Sequence, residues 1–334
     1  MGAPRYGLSI PNRGVLYGVT TVEQILDLAA QADASGAFDS IWVGDSLFAK
    51  PRLESIVLLS ALAARTRRVR LGPCCLSTFP LRNPIFLAAQ WASLDQVAGG
   101  RTILGACVGG SPPRSQAEHE FAPFGVRLAE RGPRLEEGIA ILRRLWGEEK
   151  VTHEGAFYRF RDLTLEPKPV QRPGPPIWIA TNPTPETAAP HIIDRALRRV
   201  GLIADGWMTD ATPVSRFRER WNSIRNGAAQ AGRDASRMES ALHLMVNIND
   251  DRAAAFREAK KFLDQYYMTD MARDYVDLWV AYGPPAAVLE KIHAYVQAGC
   301  SVPILRFASW DQTGQLQRAL ADVMPEAARF RVPG

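Results

Sequence analysis

Short apolar runs alternate along the chain with longer segments that have helical periodicity. In the first such segment Val22, Ile25 and Ala29 share one helix face, and Thr20 with Glu23 fits a capping box at its start. Strands that alternate with helices favour parallel pairing, and near-continuous apolar strands are typical of a sheet buried on both faces. The pattern therefore predicts a (β/α)8 TIM barrel, an α/β fold in one domain over residues 1–334. The predicted strands are residues 6–10, 40–44, 70–77, 102–108, 177–180, 206–209, 242–248 and 303–308.

Two stretches do not fit a minimal barrel and predict insertions at its C-terminal face. Residues 151–165 alternate in polarity around a turn at Glu154-Gly155, which indicates a hairpin before the fifth barrel strand. Residues 266–283 form a helical insertion rich in aromatic side chains. These aromatic residues either shape a pocket or pack as core or as a dimer contact.

Composition and charge narrow the possible partners. The 40 Lys and Arg residues exceed the 35 Asp and Glu residues, for a net charge of +5, but they are dispersed along helices as solvated faces usually are. No nucleic-acid motif accompanies them, and no apolar run reaches the roughly 18 residues of a membrane helix. We therefore expect no nucleic-acid or membrane partner.

The cysteines, histidines and amino terminus give a consistent picture of the compartment. The four cysteines lack C-x-x-C spacing and the five histidines lack metal-ligand spacing, so no metal site is predicted. The first residues show no basic region followed by an apolar core. A reducing, cytoplasmic location is the expectation.

The stretch from residue 69 to residue 110 is the most informative part of the chain. It holds a strand, a helix and a second strand, and the helix is opened by Asn83-Pro84 and ended by Gly99-Gly100. A second glycine pair, Gly109-Gly110, follows the next strand and leaves backbone amides without side-chain cover. Parallel α/β folds place their chemistry at this end of the strands.

Several segments together resemble the bacterial luciferase-like monooxygenase family. The resemblance is carried in order and spacing over nearly the whole chain, and it implies a flavin or deazaflavin ring in the barrel mouth, a small-molecule substrate and a homodimer. The segments are LGPCCL, LDQVAGGR and LGACVGG within residues 69–110, IWVGDS at 41–46, RLEEGIAILRRLW at 134–146, LEPKPVQ at 165–171, PPIWIA at 175–180 and ADGW at 204–207.

The resemblance also implies which residues contact the cofactor. Cys74-Cys75 occupies a bulge after the third strand that lies against the ring in the family and often contains a non-proline cis peptide. Cys107 takes a ring-contact position after the fourth strand. The fifth-strand end lies where the family binds the cofactor phosphate, although the usual Gly-Gly pair after IWIA is missing. The predicted cofactor-binding residues are Ser9, Cys74, Cys75, Cys107, Gly109, Gly110, Ser111, Thr181 and Thr184.

Proton transfer is the least settled part of the predicted site. Many relatives have Asp-His where this chain has Asp45-Ser46, so the imidazole that would serve as acid or base is missing. The predicted catalytic residues are Asp45, Ser46 and His119, with Glu118 and Glu120 as further candidates. Each also has a simpler interpretation as a surface charge or a loop-fixing group.

Three more residues at strand ends are predicted to bind substrate: Asn12, Arg306 and Trp310. In the family these positions face the ring or the substrate. Arg306 either balances an acidic group of the substrate or forms a salt bridge with a neighbouring carboxylate.

Three functions follow from the resemblance. The first is a two-component monooxygenase that receives reduced FMN from a separate flavin reductase and inserts one atom of dioxygen into a small organic substrate. The alternative is hydride transfer with coenzyme F-420. The Ala- and Arg-rich composition suggests a high-GC source and so favours this alternative, because relatives that use the coenzyme occur in actinobacteria. The third is a flavin-binding protein without turnover. GACVGG does not follow the G-x-G-x-x-G order, so tight binding of NADH is not expected.

Overall fold

The structure, a computed structural model, describes residues 2–110 and 116–333. Its strands are β1 (Gly7–Ile10), β2 (Ser40–Val43), β3 (Arg70–Pro73), β4 (Leu104–Cys107), β5 (Val151–Glu154), β6 (Arg159–Leu163), β7 (Ile177–Ala180), β8 (Gly206–Asp210), β9 (Glu239–Ile248), β10 (Val280–Gly283) and β11 (Val302–Phe307). Its α-helices are α1 (Val22–Ser35), α2 (Ser55–Arg65), α3 (Pro84–Val97), α4 (Ala117–Phe121), α5 (Arg131–Gly147), α6 (Pro190–Ile203), α7 (Val214–Gln230), α8 (Arg252–Tyr267), α9 (Arg273–Trp279), α10 (Pro285–Gln297), α11 (Gln312–Arg318) and α12 (Met324–Ala327).

Eight of these strands form a parallel barrel. Their order is β3-β2-β1-β11-β9-β8-β7-β4, and every neighbouring pair in it is parallel. Parallel bridges from Leu71 to Thr102 and from Leu76 to Ala106 join the two ends of this sheet. The predicted TIM barrel is confirmed, with helices packed around it. The third strand is shorter than predicted, because the chain leaves the sheet after Pro73.

The inserted segments add strands of their own. β5 and β6 pair antiparallel as a hairpin. The segment predicted to be helical contains α9 but ends in β10, which pairs in parallel with β9 from Met245 to Ile248. The last part of β9 offers a free edge there, because the register with β8 stops at His243. A strand therefore forms where helical periodicity alone does not predict one.

Two tryptophans fill the barrel interior below the carboxyl ends of the strands. The rings of Trp42 and Trp178 stack with centroids 5.2 Å apart. Glycines make room for them: a Cβ on Gly7 would lie 2.6 Å from Trp42 Nε1, and one on Gly72 would lie 2.7 Å from Trp42 Cζ3. This packed layer closes the barrel interior below the carboxyl ends of its strands.

The helix starts follow local capping chemistry. Asn83 Oδ1 accepts from the Ile85 amide at 2.9 Å, with Pro84 at the first position of α3 as predicted. The capping box of α1 is formed by Thr21 and Gln24, one residue later than the predicted Thr20 and Glu23.

Within the described residues, no helix has the length and apolar character needed to cross a bilayer.

Candidate active site

A ring of inward-facing side chains lies at the carboxyl ends of the barrel strands. Side chains alternate in direction along a strand, so a residue two positions beyond a core residue faces the same way. Met208, Ala241 and Ile304 pack in the barrel interior with Trp42 and Trp178. The residues two positions further along these strands are Asp210, His243 and Arg306. They form what we call the mouth layer together with Ser9 near the end of β1, Cys74 directly after β3 and Cys107 at the end of β4.

His243 and Asp210 are the groups in the mouth layer best suited to proton exchange. They are in register on neighbouring strands. His243 is buried, its Nε2 has no hydrogen-bond partner, and burial together with the charge of Arg306 lowers its pKa to about 3. Burial also raises the pKa of Asp210, against a hydrogen bond of 3.1 Å from Asn182 Nδ2 that lowers it. A neutral imidazole therefore lies beside a carboxyl group that takes up protons more readily than usual.

Neither residue was predicted from the sequence. The pattern shows His243 as one of several scattered histidines that lack metal spacing. The sequence does place His243 in a predicted strand, two residues beyond the small interior residue Ala241. However, the run LHLMVNI is apolar almost throughout, so its polarity does not show which side chains point into the barrel.

The cysteines lie where the resemblance places the cofactor ring. The Cys74-Cys75 peptide bond is cis. Burial raises the pKa of the Cys74 thiol. A hydrogen bond between Cys75 and Cys107 raises the pKa of Cys75 and lowers that of Cys107, whose Sγ also accepts from the Gly109 amide at 3.3 Å. These thiols and their backbone line one side of the mouth.

Arg131 fixes the loop that follows β4. Its Nη1 donates to the carbonyl oxygens of Val108 at 3.0 Å and Gly110 at 2.5 Å. Gly109 has φ of 79°, and a Cβ there would lie 2.9 Å from the Phe121 ring. A glycine is therefore required at this turn. The predicted contribution of Ser111 lies outside the described residues.

The loop after β7 places Thr187 on the lining of a surface groove. The Thr184 amide donates to Thr187 Oγ1 at 3.0 Å, and the Thr187 amide donates to the Thr184 carbonyl at 2.8 Å. The Thr181 amide is used by the sheet, since it donates to the Met208 carbonyl. A groove of about 600 Å³ adjoins the start of α6, where Ala189 gives no side-chain cap. The Thr187 hydroxyl group on the lining of this groove is a donor of the kind that suits a phosphate.

Asp45 holds the loops around the mouth rather than facing into it. Its carboxylate accepts from the Thr78 amide and hydroxyl, both at 2.8 Å, and from Ser55 Oγ at 2.9 Å. Arg82 lies 3.5 Å away. With these donors in place, the geometry favours a positioning role for Asp45 over the predicted catalytic one.

Ser46 and Glu120 also hold a loop in place through hydrogen bonds. Ser46 Oγ donates to Glu120 Oε2 at 2.9 Å, and the Glu120 carboxylate also accepts from the amides of Leu47, Phe48 and Ala49. This ties the loop after β2 to α4. Both side chains are buried.

His119, like Glu118, is exposed on α4, where its ring packs 6.4 Å from Phe48. The structure does not bring this predicted acid or base to the mouth layer, because its helix face points to solvent.

Of the predicted substrate residues, Arg306 reaches the mouth most directly. It is 2% exposed, and its Nε and Nη2 have no hydrogen-bond partner. Asn12 instead donates to the carbonyl oxygens of Gly44 and Leu53 and so joins two loops. Trp310 packs against α8, with its ring 4.6 Å from Phe262.

The aromatic side chains of residues 266–283 pack against the mouth layer. Tyr266 is fully buried, and the ring of Tyr267 lies 5.1 Å from that of Trp279. Trp279 in turn lies 5.9 Å from the His243 ring, and its Nε1 donates to the His243 carbonyl. These aromatics form a second core and, through the same packing, a wall beside the mouth.

Within residues 2–110 and 116–333, no group of three His, Cys, Asp or Glu side chains is arranged to hold a metal ion.

Comparison with known proteins places these features in a family. The model of the luciferase-like monooxygenase family matches residues 5–301. The F420-dependent glucose-6-phosphate dehydrogenase of Kineococcus radiotolerans is 28% identical over 331 residues, covering 90% of this chain and 92% of that protein. The protein of the same name from Nakamurella multipartita is 27% identical over 329 residues, covering 89% of each chain.

Solved structures show the same fold. An F420-dependent secondary alcohol dehydrogenase, in complex with an F420-acetone adduct, superimposes with a TM-score of 0.81 at 18% identity and covers 98% of this chain and 100% of that one. A monooxygenase from Streptomyces bottropensis gives a TM-score of 0.76 at 23% identity and covers 96% and 99%. The predicted family is confirmed: the chain belongs to the luciferase-like monooxygenases.

Proposed function

We propose that this chain is an oxidoreductase that transfers a hydride between coenzyme F-420 and a substrate carbon bearing a hydroxyl or carbonyl group. The observation that carries this proposal is that curated relatives matching about 90% of the chain are named F420-dependent dehydrogenases. Hydride transfer, the alternative that the sequence suggested, is thus better supported than the two-component monooxygenase. Reduced FMN and a separate flavin reductase have weaker support, since the monooxygenase of known structure shares only the fold.

The residues at the mouth fit such a cofactor together with its substrate. Buried polar atoms without partners face it from Ser9 Oγ, His243 Nε2 and the Arg306 guanidinium, which is an arrangement suited to a polar ligand. Cys74, Cys75 and Cys107 would contact the ring. Its phosphate would lie next to these cysteines, where the predicted residues Gly109, Gly110, Thr181 and Thr184 follow the neighbouring strands β4 and β7.

When bound, the deazaflavin would carry the hydride, and with it two electrons. The side chains of this chain supply the accompanying proton transfer. In the direction of alcohol oxidation, the carboxylate of Asp210 would accept the proton of the hydroxyl group, and the bound cofactor would accept the hydride from the carbon that bears this group. Neutral His243 hydrogen-bonds the hydroxyl through Nε2 and orients it. The wall of Tyr267 and Trp279 limits access of water.

Anaerobic titration of the purified protein with F-420, oxidised FMN and reduced FMN tests the cofactor. We expect F-420 to bind at least about tenfold more tightly than either form of FMN, a difference of about 1.4 kcal/mol. Preference for reduced FMN, together with oxygen consumption when an organic substrate is added in air, would overturn the proposal in favour of the monooxygenase. Retention of flavin without turnover of any reductant would support the non-catalytic hypothesis.

A variant tests the proton acceptor separately. Asp210→Asn is expected to lower kcat by about 10²- to 10⁴-fold and to leave the Kd of F-420 unchanged, because the carboxyl acts on the substrate proton. Asp322→Asn is the matched control, as Asp322 lies in an exposed pair with Arg318 far from the mouth. In this proposal the partners are the small-molecule substrate and a second copy of the chain.

A further inference from the structure

Four cationic side chains surround two tyrosines on one side of the mouth. The guanidinium carbon of Arg306 lies 3.9 Å from the ring centroid of Tyr266. Those of Arg13 and Arg52 lie 5.7 Å from the same ring. Lys50 Nζ lies 4.8 Å from the neighbouring Tyr267 ring. We call these residues, Arg13, Lys50, Arg52 and Arg306, the mouth cations.

The mouth cations are not paired with carboxylates. None of the ion pairs in the described part of the chain includes any of the four, and Asp210 acts on Lys50 only through longer-range attraction. Arg13 donates instead to the carbonyl oxygens of Pro51 and Tyr266, and Arg52 Nε donates to that of Lys50 at 3.0 Å. Carbonyl groups satisfy N–H donors but leave a net positive charge.

Arg306 is the member whose geometry indicates a ligand. Its side chain is almost fully buried, yet Nε and Nη2 have no hydrogen-bond partner. These two nitrogens form one edge of the planar guanidinium and present two parallel N–H donors. That edge matches two oxygens of a carboxylate or a phosphate. A buried charge with such free donors is costly unless an anion completes it.

The position of the mouth cations separates them from the proposed cofactor phosphate. Arg306 is on β11, Arg13 follows β1, and Lys50 and Arg52 follow β2, so all four lie on or after three adjacent strands. The predicted phosphate residues follow β4 and β7, on the opposite side of the ring of strands. A cofactor seated there leaves the cationic side to the substrate.

We propose that the mouth cations bind an oxyanion group of the substrate, with Arg306 as its bidentate ligand. The proposal deepens the proposed function, on which it rests for the identity of the ligand as a substrate. It assigns the substrate class as a hydroxy or carbonyl compound that carries a carboxylate or a phosphate.

Anion binding to the protein without cofactor tests the site directly. Inorganic phosphate and acetate are titrated by calorimetry into the wild type, Arg306→Met and Arg306→Lys. We expect at least one anion to bind the wild type, and its affinity to fall about 10- to 100-fold in Arg306→Met. Arg306→Lys should reduce the affinity by an intermediate factor, because lysine keeps the positive charge but lacks the paired N–H donors of the guanidinium. Arg329→Met, which removes an exposed arginine distant from the mouth, is the control.

The outcomes separate this inference from the proposed function. The Kd of F-420 is expected to stay within twofold in every Arg306 variant. An equal loss of F-420 and anion affinity would overturn the inference, because the mouth cations would then hold the cofactor. Equal anion affinity in all variants would also overturn it. Failure of F-420 to bind the wild type refutes the proposed function while leaving the anion titration readable.

Turnover of matched neutral and anionic substrates distinguishes a phosphate from a carboxylate as the group that the mouth cations bind. Glucose is compared with glucose 6-phosphate, and 2-propanol with lactate. We expect kcat/KM to be higher for the anionic member of at least one pair, and Arg306→Met to remove that preference mainly through KM. Preference for both neutral members would contradict the inference. Arg306→Lys provides the same readout if Arg306→Met does not fold.

Discussion

The buried His243 gives the protein a pH-dependent stability that one substitution should remove. In the folded state burial and the charge of Arg306 lower the pKa of this imidazole from 6.5 to about 3. The unfolded chain therefore binds a proton at His243 below pH 6.5, whereas the folded chain does so only near pH 3. Stability contributed by the neutral ring is complete above pH 6.5 and is lost as the pH falls through this window. His243→Gln replaces the ring with a neutral side chain that does not titrate.

The size of the effect follows from the width of the window. Each unit of pKa difference corresponds to about 1.4 kcal/mol, so the wild type loses about 3 kcal/mol between pH 6.5 and pH 4 through this one group. Near neutral pH the variant loses ring packing against Trp279, which lies 5.9 Å away, at a cost of about 1 kcal/mol. We therefore expect the wild type to be more stable at pH 7 and the variant to be more stable at pH 4.

Urea unfolding followed by tryptophan fluorescence at pH 7, 6, 5 and 4 measures the difference. Other titrating groups occur in both proteins and cancel in the comparison. Asp210, which is in register with His243, is the neighbour most able to couple to it. The series is therefore repeated in an Asp210→Asn background, where the change of sign should persist. His191→Gln, which removes an exposed imidazole on α6, controls for loss of a histidine as such.

Parallel stability curves for the wild type and His243→Gln from pH 7 to pH 4 would refute the reasoning. A change of equal size in His191→Gln would refute it as well, because the effect would then not depend on burial in the mouth layer. Either result would also remove the argument that a neutral His243 orients the substrate hydroxyl.

Two further predictions concern the barrel and the loop beside it. Gly72→Ala should cost about 1 to 3 kcal/mol in urea unfolding, because its Cβ would lie 2.6 Å from the Ile103 carbonyl and 2.7 Å from the Trp42 ring; Gly227→Ala, where nothing lies within 4 Å, should instead be neutral or stabilising by up to about 1 kcal/mol. Glu120→Gln should lower the free energy of unfolding by about 1 to 3 kcal/mol and speed amide hydrogen exchange at residues 47–49. The reason is that these amides now donate to two carboxylate oxygens, whereas the glutamine side chain has only one acceptor oxygen. Unchanged exchange there would show that the loop is held by other contacts.

The barrel was predictable because its signal is repeated and local. Each strand is an apolar run followed by a helical segment with its own start and stop residues, such as Asn83 and Gly99 around α3. β10 was missed because it forms only where β9 extends beyond β8, and that difference in length is a property of the assembled sheet. Backbone features at strand ends, including the cis bond at Cys74-Cys75, were accessible through the resemblance.

The residues that we propose to handle protons were not predictable in the same way. Asp45 and Ser46 stand at a position that the resemblance predicts to be catalytic, but in this chain their side chains are used to hold loops. His243 and Asp210 became candidates only when packing fixed which face of each strand points inward. A sequence motif thus identified the end of the barrel where we propose that chemistry occurs, but it did not identify the side chains that face it.

Arg306 shows what information decides between two interpretations of one residue. The sequence left open a salt bridge to a neighbouring carboxylate or a contact with an acidic substrate. The barrel register pairs Arg306 with Met245 on β9, and Ser9 follows the last paired residue of β1 on the other side. Neither neighbour carries a charge, and Asp210 lies two strands away on β8. Since the strand order keeps carboxylates from its flanks, no carboxylate of the sheet satisfies the buried edge of the guanidinium, and this makes the acidic substrate the stronger of the two interpretations.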